Sequence, residues 1–206
     1  MRSPVTLPQD YFDGLYAAAP DPWEFETRWY EARKYALSLA LLPAERYGAA
    51  FEPGCSIGVL TERLAPRCGR LLACDGAATA VRLATLRTAP LANVTVERRI
   101  IPRDWPAGGF DLIVFSEFLY YFAGDDLDRV LGLGTAALRP GGNLLAVHWR
   151  HPVAEYPRSG DDVHRALRGQ AGLTRLVGHQ EPDFLAEVYV RAGDRAESVA
   201  AAGGLV

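Results

Sequence analysis

The chain has 206 residues, of which 49% are hydrophobic and 23% charged, and a formal net charge of −3 at pH 7. This length and composition fit a single domain that buries its own core. The small negative charge provides no basic field for nucleic acid, and no stretch is long and apolar enough to span a membrane. The N-terminal residues lack the apolar core of a signal peptide, so we expect a cytoplasmic protein whose partner is a small molecule.

The residues that most often bind metals are few and poorly spaced here. The chain has three cysteines, an odd number, in or beside apolar segments: Cys55, Cys68 and Cys74. They form no C-x-x-C pair, and they do not suggest a disulfide framework. Three of the four histidines lie near Asp161 and Asp162, but their H-x-x-H spacing on a loop lacks a helical frame. We therefore expect no metal.

The N-terminal region, residues 1–48, is predicted to form an aromatic arm followed by a helical lid. The first 20 residues contain several prolines and the aromatic residues Tyr11, Phe12 and Tyr16. Asp21 as an N-cap and Pro22 in the first turn then predict a helix running to about residue 41. Its aromatic side chains are either buried over a sheet or cover a ligand.

From residue 49 onward, strands and helices alternate. Strands are predicted at 50–53, 70–74, 93–98, 110–115 and 144–149, with helices at 57–66, 77–87 and 126–138. Two more strands, at 173–177 and 184–191, can pair as an antiparallel hairpin. Apolar strands joined by helices predict an α/β fold with a doubly wound parallel sheet. We expect one domain over residues 1–191 and a disordered tail over 192–206.

The end of the first strand carries a glycine-rich turn, Phe51-Glu52-Pro53-Gly54-Cys55-Ser56-Ile57-Gly58, and Asp75 ends the second strand. Glycines let the backbone approach a ligand, the helix start offers free N–H groups, and an acid about 20 residues later can bind a ribose. We therefore expect a nucleoside-bearing cofactor. The dinucleotide fingerprint fits poorly, because its second and third glycines are Ser56 and Val59 here. A tight turn in a Rossmann-like domain that binds no ligand is the alternative.

The glycine turn resembles the E/D-x-G-x-G-x-G motif of class I S-adenosylmethionine (SAM) dependent methyltransferases, with serine at the middle glycine. Gly109-Phe110-Asp111-Leu112-Ile113 resembles the fourth-strand motif of that family, and Leu138-Arg139-Pro140-Gly141-Gly142 resembles its turn before strand five. The resemblance implies a Rossmann-like, seven-stranded sheet, mostly parallel with a C-terminal antiparallel hairpin. It also implies SAM as the cofactor and S-adenosylhomocysteine (SAH) as the product.

A closer resemblance, over residues 11–125, is to the nodulation protein S (NodS) type of N-methyltransferases, which methylate an amino sugar in a chitin-like oligosaccharide. The segments that support it are Asp21-Pro22-Trp23, Tyr30-Glu31, Lys34-Tyr35, Gly54-Cys55-Ser56-Ile57-Gly58, Ser116-Glu117 and Tyr120-Tyr121. It implies methyl transfer to nitrogen of a small polar acceptor. A small-molecule O-methyltransferase and a non-catalytic SAM-binding protein are alternatives. An NAD-type oxidoreductase is disfavoured, because Tyr-x-x-x-Lys is absent after strand four.

The resemblance also implies a set of cofactor-binding residues. In it, Glu52 meets the ammonium side of SAM and Asp75 the ribose hydroxyls. Many class I enzymes place an aspartate after strand three for adenine, but Ile100 and Ile101 stand here, with Asp104 a doubtful substitute. The expected cofactor residues are Trp23, Tyr30, Glu52, Gly54, Cys55, Ser56, Gly58, Asp75, Gly76, Ile100, Ile101, Ser116, Glu117 and Tyr121.

Methyl transfer to an amine needs a neutral acceptor nitrogen, so a base near the site helps. Reacting groups in such sheets follow the carboxyl ends of strands, which makes His148 the first candidate base and Glu117 the second. His148 could instead be a core histidine, and Glu117 could instead orient an acceptor ammonium. Residues 150–172 are read as an acceptor-binding insertion or a solvated loop. The expected substrate-binding residues are Tyr120, Trp149, Arg150, His151, Tyr156, Asp161 and His164, with Tyr120 and Tyr121 alternatively core aromatics.

Overall fold

The computed structural model describes residues 5–191 and 198–206. In this part of the chain, seven strands form one sheet in the order β3-β2-β1-β4-β5-β7-β6. The strands are β1 (Tyr47–Pro53), β2 (Cys68–Asp75), β3 (Val94–Arg98), β4 (Phe110–Ser116), β5 (Leu138–Trp149), β6 (Thr174–Gln180) and β7 (Phe184–Val190). The first five are parallel, while β7 runs antiparallel to both β5 and β6. The expected seven-stranded α/β fold with a terminal antiparallel pair is confirmed.

Seven α-helices accompany the sheet within residues 5–191 and 198–206. They are α1 (Gln9–Ala18), α2 (Trp29–Leu41), α3 (Val59–Leu64), α4 (Ala78–Thr88), α5 (Gly124–Ala137), α6 (Gly160–Gly169) and α7 (Val199–Ala202). Within the described ranges, no helix combines the length and the apolar character that a membrane span needs.

Alternating residues of the central strands bury their side chains in two cores, one on each face of the sheet. Leu112 and Val114 of β4 belong to the core that contains α2 and α3. Their neighbours Ile113 and Phe115 belong to the core that contains α5 and α6. Because both faces are covered, the sequence of this strand is a continuous apolar run and does not alternate between apolar and polar residues. This pattern is what allowed β4 to be predicted from sequence.

The strand order reverses between β1 and β4, which are parallel neighbours although two strands intervene in sequence. The connections from β1 and β4 therefore leave in opposite directions at their carboxyl ends. A crevice opens at such a switch point, and it is where open α/β sheets bind ligands.

The N-terminal region differs from the prediction in its helix boundaries. Residues 9–18 form helix α1, and the helix expected from Pro22 begins only at Trp29. The Asp21 carboxylate accepts hydrogen bonds from the backbone N–H groups of Phe25 and Glu26, both at 3.0 Å. Asp21 thus caps a turn that precedes the helix, because its polar side chain satisfies these amides outside a helix as well as at its start.

The segment expected to be an acceptor-binding insertion, residues 150–172, contains helix α6. A capping box between Ser159 and Asp162 starts this helix. Val163, His164 and Leu167 are buried, so α6 packs onto the core between β5 and β6 in the chain. Most of the other residues of the segment are at least partly exposed. In the expected disordered tail, residues 192–197 lie outside the described residues, whereas α7 forms within 198–206.

Candidate active site

A cavity of about 350 Å³ lies at the carboxyl ends of β1, β2 and β4. Its walls come from the glycine turn, from the ends of β2 and β4, from the segment after β3, and from the N-terminal region. Aromatic rings make up much of the lining: Phe12, Tyr16, Trp23, Phe25, Tyr35, Phe118, Tyr121 and Phe122. Three carboxylates, Glu52, Asp75 and Glu117, also line it. The cavity therefore combines apolar walls with a few acidic groups, as small-molecule sites commonly do.

The glycine turn is held in an uncommon backbone conformation. Gly54, Ser56 and Gly58 all have positive φ angles, of 73°, 51° and 80°. Serine at the middle position therefore adopts a conformation that glycine would adopt without steric cost. The amides of Gly54 and Cys55 both donate to the carbonyl oxygen of Cys74, at 2.7 and 2.9 Å. These bonds fix the turn against the end of β2.

Asp75 links the end of β2 to the glycine turn. Its Oδ2 accepts from the Ser56 amide at 3.0 Å, and its Oδ1 accepts from the Ala77 amide at 2.9 Å. Burial nevertheless raises the pKa of this carboxyl to about 6, although both hydrogen bonds act to lower it. Each carboxylate oxygen keeps a further lone pair, so Asp75 can still accept from a ligand hydroxyl.

Glu52 is a buried acid on β1. Its side chain is 2% exposed, and among the described residues its Oε2 has no hydrogen-bond partner. Burial raises the pKa of Glu52 to about 7, although the nearby Thr61 hydroxyl acts to lower it. A buried carboxylate without a partner is unfavourable, so a cation in the adjoining cavity would satisfy it.

The N-terminal region covers the cavity and is attached on two sides. The Tyr16 hydroxyl lies 2.6 Å from Ser56 Oγ in the glycine turn. On the other side the Leu7 amide donates to the carbonyl oxygen of Tyr121 at 3.0 Å, and the Phe12 ring packs edge-on against Tyr121. The aromatic content of this region was the sequence signal for a cover. The individual contacts of Leu7, Phe12 and Tyr16 were missed.

Glu117 follows β4 and has a positive φ angle of 52°. Its Oε1 accepts from Lys34 Nζ at 2.7 Å, while its Oε2 accepts from the Tyr120 hydroxyl and from the Trp149 amide. Lys34 is 2% exposed and also pairs with Glu31. Burial lowers the pKa of Lys34, but the charges of Glu117 and Glu31 outweigh it and the net shift is upward. Sequence analysis gave Lys34 no role in the site.

The structure places His148 behind the cavity wall, outside the lining. Its ring is fully buried, and Nε2 accepts a hydrogen bond from the Leu119 amide at 3.1 Å. Nδ1 lies 3.2 Å from Nε2 of His164. Burial moves the pKa of His148 well below its usual value. Because both ring nitrogens are engaged and none faces the cavity, the geometry does not support His148 as the base.

Most of the predicted cofactor residues come together in the lining: Trp23, Glu52, Gly54, Cys55, Ser56, Asp75, Gly76, Ile100, Ile101, Ser116, Glu117 and Tyr121. The other predicted residues lie outside it: Tyr30, Gly58, Tyr120, His148, Trp149, Arg150, His151, Tyr156, Asp161 and His164. Gly58 instead allows helix packing, because a Cβ there would lie 3.0 Å from Cα of Ala84.

Two of the predicted substrate residues, Tyr120 and Tyr156, pack behind Glu117. Tyr156 stacks on Tyr120, with ring centroids 4.9 Å apart, and Tyr120 in turn reaches Glu117. Arg150 instead pairs with Asp161 at 3.0 Å.

The segment after β3 forms one apolar side of the cavity through Ile100 and Ile101. Asp104 accepts a hydrogen bond from the Ile100 amide at 3.0 Å and pairs with Arg103. These bonds lower the pKa of Asp104 to about 2. Asp104 therefore shapes the segment and is not part of the lining.

Comparison with known proteins identifies relatives of this chain. The family model for "Nodulation protein S (NodS)" matches residues 14–145. Nodulation protein S of Bradyrhizobium diazoefficiens is 37% identical over 105 residues, which cover 50% of each chain. The Rhizobium tropici protein is 34% identical over 131 residues, covering 62% of this chain and 55% of that protein. The alignments thus span about half the length of these relatives.

Comparison with solved structures also identifies NodS as a relative. The crystal structure of the N-methyltransferase NodS from Bradyrhizobium japonicum WM9 with SAH superposes with a TM-score of 0.79 at 26% identity, covering 88% of this chain and 97% of that chain. A Pseudomonas syringae protein assigned as a methyltransferase is 47% identical, with a TM-score of 0.71, and covers 79% of this chain and 99% of that chain. The family match, which extends over more than half of the sequence, confirms the resemblance seen in the motifs, and the chain belongs to the nodulation protein S (NodS) family.

Proposed function

We propose that this protein is a SAM-dependent methyltransferase that transfers a methyl group to nitrogen of a small polar acceptor such as an amino sugar. The observation that carries the proposal is the unpartnered Oε2 of Glu52, buried beside a glycine turn in the cavity. The family match and the SAH complex of the Bradyrhizobium japonicum relative support it.

The lining residues fit the parts of this cofactor. The unpartnered carboxylate of Glu52 suits an ammonium group, and the free lone pairs of Asp75 suit ribose hydroxyls. Ile100 and Ile101 offer an apolar surface for a purine ring. When bound, SAM supplies a methyl group on a positively charged sulfur, and the acidic, aromatic lining favours a cationic ligand.

An amine acceptor is favoured by the charge arrangement around Glu117. Lys34 is buried between Glu117 and Glu31, so this cluster of two acids and one base has an excess of one negative charge. Glu117 lines the cavity, and its Oε1 retains a lone pair beyond the bond to Lys34. Glu117 would hold the acceptor ammonium and take up its proton, which leaves a neutral nitrogen oriented for attack on the methyl group. Phe12, Phe118 and Tyr121 would exclude water from the transfer.

The proposal is tested in two steps with the purified protein. Calorimetric titration with SAH should show binding, and titration with NADH should not; binding of neither ligand would contradict the cofactor assignment. Transfer of radiolabelled methyl groups from SAM is then measured with D-glucosamine and with N-acetyl-D-glucosamine. These acceptors differ only in the free amine, so labelling of glucosamine alone supports nitrogen. Labelling of both would indicate oxygen, and SAH binding without transfer to either would count against an amino-sugar acceptor.

A further inference from the structure

Behind the cavity wall, two buried histidines belong to a continuous hydrogen-bonded chain. The Leu119 amide meets His148 Nε2 at 3.1 Å, and His148 Nδ1 meets His164 Nε2 at 3.2 Å. His164 Nδ1 then lies 2.6 Å from Oε2 of Glu187. Both histidines are completely buried. This hydrogen-bonded chain connects β7, through α6 and β5, to the turn that follows β4.

The first donor determines where every proton in this chain lies. A backbone amide can only donate, so His148 Nε2 is an acceptor and the ring proton of His148 is on Nδ1. This proton is donated to His164 Nε2, and the proton of His164 is therefore on its Nδ1, directed at Glu187. A second proton on His164 would occupy Nε2 and leave His148 with no proton at all. The intact chain consequently requires both rings to be neutral.

The far end of the chain is fixed by Glu187. Its Oε1 accepts from Arg168 at 2.8 Å and from Arg175 at 2.8 Å, and its Oε2 also accepts from the Tyr189 hydroxyl at 2.6 Å. Burial acts to raise the pKa of Glu187, but these hydrogen bonds and that of His164 produce a net downward shift. The carboxylate stays ionised and is a firm anchor for His164.

The near end of the chain reaches the segment that positions Glu117. Leu119 is fully buried, two residues after Glu117, whose φ angle is 52°. The His148 ring also packs edge-on against Tyr120, which donates to Glu117. A non-glycine residue at positive φ persists only where its surroundings hold it, and the Leu119 amide is one such restraint.

We infer that His148 and His164 are positioning residues, whose chain from Glu187 to the Leu119 amide holds Glu117 toward the acceptor. The inference rests on the proposed function, because it gives Glu117 an acceptor to orient. Neither histidine exchanges a proton with the acceptor, and both remain neutral. The chain acts on the acceptor side of the cavity and leaves the cofactor side unchanged.

The proton positions are tested first, by long-range ¹H–¹⁵N NMR of the ¹⁵N-histidine-labelled full chain at neutral pH. Both rings should appear as neutral Nδ1–H forms, and the His148→Gln variant assigns one of them by its loss. An Nε2–H form or a doubly protonated ring at either position would overturn the inference.

The positioning role is tested with His148→Phe, His148→Gln and the control His179→Asn, which changes a partly exposed histidine on β6. With SAM and D-glucosamine, His148→Phe should lower kcat by roughly 10- to 100-fold, the loss expected from a displaced orienting group. SAH affinity should be unchanged, and the glutamine variant, which can both accept and donate, should regain most of the activity. Parallel loss of SAH affinity, no recovery in His148→Gln, or an equal loss in His179→Asn would contradict the role.

A measurement that needs no acceptor distinguishes a failure of the proposed function from a failure of this inference. If the wild-type protein labels no glucosamine, the hydrogen-exchange rate of the Leu119 amide tests the hydrogen-bonded chain directly. Faster exchange in His148→Phe, with protection retained in His148→Gln, would support the anchor. Equal protection in all three proteins would overturn it.

Discussion

Lys34 Nζ lies 2.7 Å from Oε1 of Glu117, in a contact that joins helix α2 to the turn after β4. The two residues are 83 positions apart in the chain. The lysine is 2% and the glutamate 10% exposed at their side chains, so water screens their attraction little. This ion pair links the N-terminal region to a residue that lines the cavity.

Replacing Lys34 with methionine should destabilise the fold strongly. The change keeps most of the side-chain volume but leaves Glu117 and Glu31 facing each other without a base. Removing one partner of a buried pair costs about 3–5 kcal/mol of the free energy of unfolding. Urea denaturation measures the loss. Arg28→Met, at the exposed pair with Glu24, is the control and should change stability little. A small loss for Lys34→Met would show that Glu117 does not depend on this pair.

Asp75→Ala should weaken SAH binding. The substitution removes the acceptor proposed for the ribose and also frees the amides of Ser56 and Ala77. Loss of hydrogen bonds to a charged group corresponds to about 1.5–3 kcal/mol, or roughly a 10- to 100-fold increase in Kd. Calorimetry measures the change, with the exposed Asp10→Ala as control. Unaltered affinity in Asp75→Ala would remove Asp75 from the cofactor site.

Glu52→Gln should change the pH dependence of stability in the absence of ligand. Burial raises the pKa of Glu52 from 4.5 to about 7, so the folded state holds its proton more tightly than the unfolded chain. The wild-type protein therefore loses stability as the pH rises through this window, whereas a neutral glutamine does not. Above the window, at about pH 8, the variant should be more stable than the wild type by up to about 3 kcal/mol.

Urea denaturation over this pH range tests the Glu52 prediction, with the exposed Glu45→Gln as control. The same Glu52→Gln variant should bind SAH more weakly, because it loses the charge proposed for the ammonium. A gain in stability together with unchanged SAH affinity would place the cofactor ammonium elsewhere.

Gly54→Ala should be more damaging than Gly141→Ala, although the two glycines have similar φ angles of 73° and 77°. Both variants pay a backbone cost of about 1–2 kcal/mol for a left-handed conformation. A Cβ at Gly54 would additionally lie 2.5 Å from Cδ2 of Phe118, whereas none of the described atoms is within 4 Å at Gly141. Denaturation and SAH titration of both variants measure the difference. Equal effects would show that Phe118 moves aside freely.

Local patterns were enough to predict the sheet and the cofactor turn. Residues 110–115 form a continuous apolar run, which is typical of a strand covered on both faces. The positive φ angle of Gly54 is a local reason for glycine in the turn, to which the close approach of Phe118 adds a tertiary one. Ser56, which stands at the middle glycine of the motif, has a positive φ angle like Gly54 and Gly58 on either side of it. Interactions over a few residues decided these features, so the sequence alone was informative.

The orientation of side chains between distant elements could not be predicted in this way. His148 stands at the end of β5, where a catalytic base was expected, but its ring contacts His164 of α6 and is not part of the cavity lining. Lys34 meets Glu117 only after helix α2 has packed across the sheet. The sequence by itself determined the strands, the glycine turn and the acid that closes it. The tertiary structure decided which polar groups face the cavity, because burial and partner choice depend on packing between segments far apart in the chain.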